Sequence, residues 1–363
     1  MNAAGRFPAP LRMAPARWPG AGGLTPTEAL SSAWEETLRF LFQPFNRRHW
    51  VKLSVVCLFL GGGTSTAAFQ WGFGTLPADI PLSEIFLRLR LIITQQISLL
   101  IMAVTLSLAF VLALLYLRCV LRFVLVEAVI KREIAMRSAW ENLQPLGRTY
   151  FFWLLGALGT VLVMAAGAIV VSSPFLRSVH AAGRPDWLSS LLLVATLTAV
   201  VLAGLLVAVV ITLTDDLVVP LIYAERISLP AAWGKVWQVA RRDPGMFLFY
   251  VALRIAVSIY IGLAVLFFLL PILLGLSSGA LVAAALVLLA LRLVGLAWTW
   301  NPVTILLGTV GLLLLSVLLF AVLGVVGMPG QVYLQNYGVR FIASRTPTLE
   351  ALCRASAATG RSR

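Results

Sequence analysis

The chain is 363 residues long, 60% hydrophobic and 12% charged, with a formal net charge of +14 and a mean hydropathy of +0.96. Soluble domains carry about 25% charged residues, so a water-soluble globular enzyme is excluded and lipid is the solvent that fits. The basic residues fall in the gaps between apolar runs, a pattern that excludes nucleic acid as a partner and points to anionic lipid headgroups.

Residues 1–24 are rich in Ala, Pro, Gly and Arg and lack an apolar signal core, so they are expected to form a disordered, basic cytoplasmic tail. Thr25-Pro26-Thr27-Glu28 is a capping box with proline at the first helical position. Leu30, Trp34, Leu38, Leu41 and Phe42 then recur on one helical face, and Pro44 is expected to end the helix. Leu53–Phe69 is a short candidate span, weakened by Gly61-Gly62-Gly63. Glu84 and Arg88, with Arg90, fit a short amphipathic helix on the outer surface.

Four charge-free runs follow, Ile97–Leu117, Tyr150–Val171, Leu191–Leu213 and Val303–Val326, with Met246–Leu270 interrupted only by Arg254. Each reaches the roughly 20 residues that cross a hydrocarbon core of about 30 Å. Gly279–Trp300 is apolar but contains Arg292, and a charge near mid-bilayer costs about 2.5–3.5 kcal/mol on insertion scales. It is read as a re-entrant or outer-surface helix, with a seventh span as the alternative.

With six spans, most of the 28 Lys and Arg residues collect on one side, in the N-terminal tail, the 118–149 and 214–245 connectors and the C-terminal tail. The positive-inside rule then predicts a multi-pass protein of a prokaryotic plasma membrane with both termini cytoplasmic.

An Ala-Trp pair on an amphipathic segment, followed by proline, aromatics and an apolar run, occurs three times. The pairs end at Trp34, Trp140 and Trp233, read as interfacial anchors. The expected fold is an all-α, polytopic transmembrane bundle of six spans built from three two-helix repeats, each preceded by an interfacial helix. The repeats cover about 25–130, 131–227 and 228–343, and 344–363 forms a second cytoplasmic tail.

The Ala-Trp helices, the Val219–Ile222 exit and the closing Tyr333–Phe341 run carry a resemblance. In these, the chain resembles a broad family of bacterial and archaeal membrane proteins that includes the membrane domain preceding the catalytic domain of some glycerophosphoryl diester phosphodiesterases. The resemblance covers most of residues 25–350 and implies a fold and a location. It implies no phosphodiesterase activity, because no soluble domain follows the spans and the metal-ligating acids and histidines are missing.

Little points to chemistry. Cys57, Cys119 and Cys353 lie far apart without CxxC spacing, and His49 and His180 fall on opposite sides of the proposed membrane. No HExxH, GxSxG or P-loop pattern occurs, so no catalytic residue, metal or cofactor is assigned and a non-enzymatic role is expected. Asp215-Asp216 ends the fourth span; the plain reading is two solvated acids, the sharper one a cation or proton site. Arg254 lies about eight residues into the fifth span, roughly 12 Å deep. It would bind an anionic group such as a lipid phosphate, or form a structural pair with Asp215, Asp216 or Glu225. Gly156, Gly159, Gly167 and Gly204 are expected at close helix contacts.

Membrane lipids are the expected partners. The functional reading is a lipid-associated, accessory or scaffolding protein, with a transporter or channel as the alternative.

Overall fold

The computed structural model describes residues 23–43, 46–60, 97–133, 136–173, 175, 187–293 and 302–359. The triglycine break, the surface helix around Glu84 and Arg88, the loop holding His180 and residues 294–300 lie outside these. Among the described residues every regular element is helical.

The elements are α1 (Pro26–Phe42), α2 (Arg47–Phe59), α3 (Ile97–Lys131), α4 (Met136–Val171) and α5 (Trp187–Leu213). A π-helical turn (Thr214–Val218) runs on into α6 (Val219–Glu225), and α7 (Leu229–Arg242), α8 (Pro244–Leu293), α9 (Pro302–Ala343) and α10 (Pro347–Thr359) complete the chain. Among the described residues five helices are long and apolar enough to cross a membrane: α3, α4, the continuous α5–α6 rod, α8 and α9.

Local chemistry explains the first corner. The Glu28 amide donates to the Thr25 hydroxyl at 3.3 Å, and the Thr25 amide donates to the Glu28 carboxylate at 2.9 Å, which closes the capping box. The Trp50 indole N–H donates to the Leu41 carbonyl at 2.7 Å and ties α2 back onto α1.

The long helices exceed what a bilayer needs. At 1.5 Å per residue, the 35-residue α3 measures about 52 Å, against roughly 30 Å of hydrocarbon. The surplus turns build the core. Buried apolar side chains concentrate at the end of α3 (Cys119–Ile130), the start of α4 (Ala139–Leu154), the π turn and α6 (Leu217–Tyr223), and the end of α9 (Met328–Ala343). Antiparallel succession brings all these ends to one side, where α1, α2, α7 and α10 close around them. The apolar remainders are bare: in the most hydrophobic stretch of the α5–α6 rod, none of the residues is buried against protein.

Four expectations change. The middle repeat has no separate interfacial helix, because α4 runs unbroken from Met136 through Pro145 into its apolar half. Continuity follows from packing, since Gly147 seats α4 directly on α3, where an added Cβ would come within 2.6 Å of Val120 Cγ2. Residues 279–293 form neither a re-entrant nor a surface helix of their own; they continue α8 through Pro271, a residue apolar helices tolerate. Gly156, Gly159, Gly167 and Gly204 have open space around them, because the helices diverge once they leave the hub.

The 344–363 segment, expected as a tail, carries α10. That helix packs against α3, α6 and α9 through the fully buried Leu349.

Candidate functional site: a buried ion network at the hub

The π turn decides the geometry. Its wider winding inserts an extra residue into the α5–α6 rod, and Asp215 and Asp216 both turn toward the hub. The Asp216 side chain is 0% exposed. Its Oδ1 accepts from Arg122 Nη2 of α3 at 3.2 Å and from Arg254 Nη2 of α8 at 3.3 Å, and its Oδ2 pairs with Arg254 Nε. Asp215 Oδ1 accepts from the Tyr150 hydroxyl of α4 at 2.6 Å and lies 3.5 Å from Arg122 Nε. Arg254 Nη1 donates to Ser258 Oγ, one turn along the same helix.

α9 approaches without a side chain. A Cβ on Gly338 would sit 2.5 Å from the Asp216 carbonyl oxygen, so only glycine permits the contact. On either side of Gly338, α9 supplies aromatic rings. Tyr250 of α8 is stacked between Tyr337 (centroids 4.9 Å apart) and Phe341 (4.1 Å). The Tyr250 and Tyr337 hydroxyls are buried without a hydrogen-bond partner among the described residues.

A second network joins α1 to α9 and to the residue that follows α3. Glu36 of α1, 6% exposed, accepts from Arg340 Nη2 of α9 at 2.8 Å and pairs with Arg132 just beyond α3. Arg132 takes a left-handed backbone with φ 59°, a conformation that costs roughly 1–2 kcal/mol and that the Glu36 pair offsets. Asn336 Nδ2 donates to the Thr37 hydroxyl at 3.0 Å.

Of the residues singled out from sequence, Arg254, Asp215 and Asp216 therefore meet in one cluster. The reading of the two aspartates as solvated acids is corrected: Asp216 is enclosed, and Asp215 is engaged by a phenol and a guanidinium. Trp34 is 55% exposed and meets the Tyr333 ring edge-on at 5.6 Å, while Trp140 and Trp233 lie half-buried against the core.

Sequence reasoning missed Arg122, Arg132, Tyr150, Glu36 and Arg340. It counted Arg122 and Arg132 as cations of the 118–149 connector and Arg340 as one of the C-terminal tail. A usable signal was present at Arg122, which is the one charge in the otherwise apolar run from Cys119 to Val126.

Chemically the site is balanced. Two guanidinium groups face two carboxylates in the first network, and an isolated buried charge would be far more costly than such a pair. Among the described residues no group of three or more His, Cys, Asp or Glu is arranged to hold a metal ion. The arrangement cross-links α3, α4, the π turn and α8 at one depth.

No curated protein and no solved structure matches the chain, and the resemblance to the phosphodiesterase membrane domain rests on the sequence motifs alone. One family does match, over residues 24–352, and the chain belongs to it: the family of unknown function DUF7544.

Proposed function

We propose that the protein is a non-enzymatic, multi-pass protein of a prokaryotic plasma membrane. It holds or organises lipid at the cytoplasmic leaflet, alone or as an accessory to a protein partner. In this reading six spans arise from three two-helix repeats, the sixth formed by residues 53–69, and both termini lie in the cytoplasm.

One observation carries the proposal: among the described residues packing is concentrated at the basic end of the molecule, while the apolar halves of α4, α5, α8 and α9 are mostly uncovered. Helices that enclosed a polar pathway would bury their mid-bilayer faces against one another. These present Leu, Val and Phe outward, as at Leu162, Val163, Leu202, Leu205 and Phe267, which suits lipid contact along most of their circumference.

A transporter or channel is the second reading. It draws on the sparse packing between α5 and α8, which lean instead on α4 and α9 respectively.

Reconstitution of the full chain into liposomes separates the two. Under the lipid-associated reading, ion and small-solute flux stays at the level of protein-free vesicles, and purified protein carries a reproducible, selective set of lipids by mass spectrometry. Protein-dependent flux would sink it. Labelling of a cysteine placed beyond residue 354 by an impermeant reagent outside intact cells would overturn the orientation.

A further inference from the structure

Outside the ion network, the basic end of the molecule carries a cleft of about 590 Å³ between the α7–α8 junction and the α9–α10 turn. Its walls include Arg242, Asp243, Arg345, Thr346, Glu350 and Arg354.

Arg345 is held in place. Its guanidinium lies 4.0 Å over the Phe341 ring, and its Nη1 donates to the Phe341 carbonyl and to Ser344 Oγ, each at 3.1 Å. The remaining N–H groups of the fork are left for a ligand. Arg242, in the last turn of α7, is exposed. Of the two carboxylates, Glu350 is engaged by Arg354, and Asp243, at the start of α8, lies near enough to Arg345 to attract its charge and offset part of it. Three arginines against two acids leave the cleft net positive.

The surroundings are interfacial. On α7, Arg241 lies 5.1 Å over the exposed Trp237 ring, and one turn into α8 Leu248 is 69% exposed.

We propose that this cleft binds a phosphate-bearing anion, with Arg345 and Arg242 as its principal ligands. A fixed guanidinium fork matches phosphate oxygens in pairs, and the volume exceeds what a bare ion fills. The stacked rings Phe341, Tyr250 and Tyr337 run from Arg345 down to the Asp216–Arg254 pair, so occupancy also braces the hub. The proposal deepens the lipid-associated reading and rests on it. Solute flux would sink that reading by itself, whereas the titrations below judge the cleft alone.

The test uses the full chain in phosphatidylcholine nanodiscs, with the thermal unfolding midpoint as readout. Dioctanoyl phosphatidate, inorganic phosphate and dioctanoyl phosphatidylcholine are titrated separately. A saturable rise of about 3 °C or more with phosphatidate alone assigns a lipid headgroup. The same rise with inorganic phosphate assigns a soluble phosphate ligand. Arg242→Gln, a surface change, should weaken the response about tenfold, the equivalent of one charge-assisted hydrogen bond; Arg345→Gln should abolish it; Arg241→Gln should leave it intact. No shift with either phosphate, an equal shift with phosphatidylcholine, or a response undiminished in Arg242→Gln would overturn the proposal.

Discussion

Asp216→Asn is the most informative single change. The substitution keeps the volume and removes one charge from a site where the acceptor is 0% exposed and its partners Arg122 and Arg254 are 12% and 11% exposed. At the 3.2 Å separation of Arg122 and Asp216, the gross attraction is about 5 kcal/mol for an effective dielectric near 20. Removing one member of a buried pair typically costs about 3–5 kcal/mol, because the surviving charge is left enclosed. Asp216→Asn is therefore expected to lose about 3–5 kcal/mol. Arg254→Gln strands Asp216 less completely, since Arg122 remains. The double variant leaves Arg122 facing Asp215, a neutral pair, so the two losses should fall short of additivity by about 1–3 kcal/mol. Unfolding of the four proteins in mixed micelles, followed by tryptophan fluorescence against added denaturing detergent, gives the cycle. Additivity within about 0.5 kcal/mol, or a near-neutral Asp216→Asn, would refute the idea that this pair fastens α8 to the π turn.

Gly338→Ala places a methyl where the Asp216 carbonyl already stands and should cut folded yield severely. Gly204→Ala, in open space, should be tolerated; fluorescence-detected size exclusion compares them. Burial pushes the Cys353 thiol up to about 12, with Arg340 opposing, so maleimide should label it slowly at pH 7 until α10 is undocked by denaturant. Thr25→Ala should cost about 1 kcal/mol through the lost cap. The Thr25 amide and hydroxyl hold the Glu28 carboxyl below its ordinary range. The folded value is thus depressed, so the Glu28 contribution is present above the unfolded glutamate range and disappears as pH falls through the folded value. The stability gap between wild type and Glu28→Ala, measured by the same unfolding titration, should close on acidification.

Much of the architecture is legible because hydropathy and capping are local properties. Charge-free runs mark the apolar halves of α3, α4, α5 and α9, and Thr25-Pro26-Thr27-Glu28 marks the start of α1. The ion network was half legible. Arg254 stands out as a charge in an apolar helix, and its candidate partners could be named. The enclosure of Asp216 depends on a π turn, which leaves no periodic trace in a helix apolar on every side. Arg122 and Arg340 were hidden by an assumption of scale: helices were taken to stop where the hydrocarbon stops. They continue for several turns, and the cations assigned to connectors lie inside those turns. Pro145 misled in the same way, since the contact that carries α4 through it, Gly147 against Val120, lies between two helices and leaves no mark on the local sequence.

The Glu36–Arg340 bond joins residues 304 positions apart. During synthesis the first helix is made long before its partner, so Glu36 can meet Arg132 early, but Glu36 and Thr37 lack their α9 partners until the last turns of that helix emerge. Assembly therefore includes a clasp between an early helix and a late one, and quality control can read at that clasp whether α9 has been made. A chain stopped before Asn336 would hold every apolar run yet stay unfastened, and it should be degraded faster than Asp216→Asn in a pulse–chase experiment.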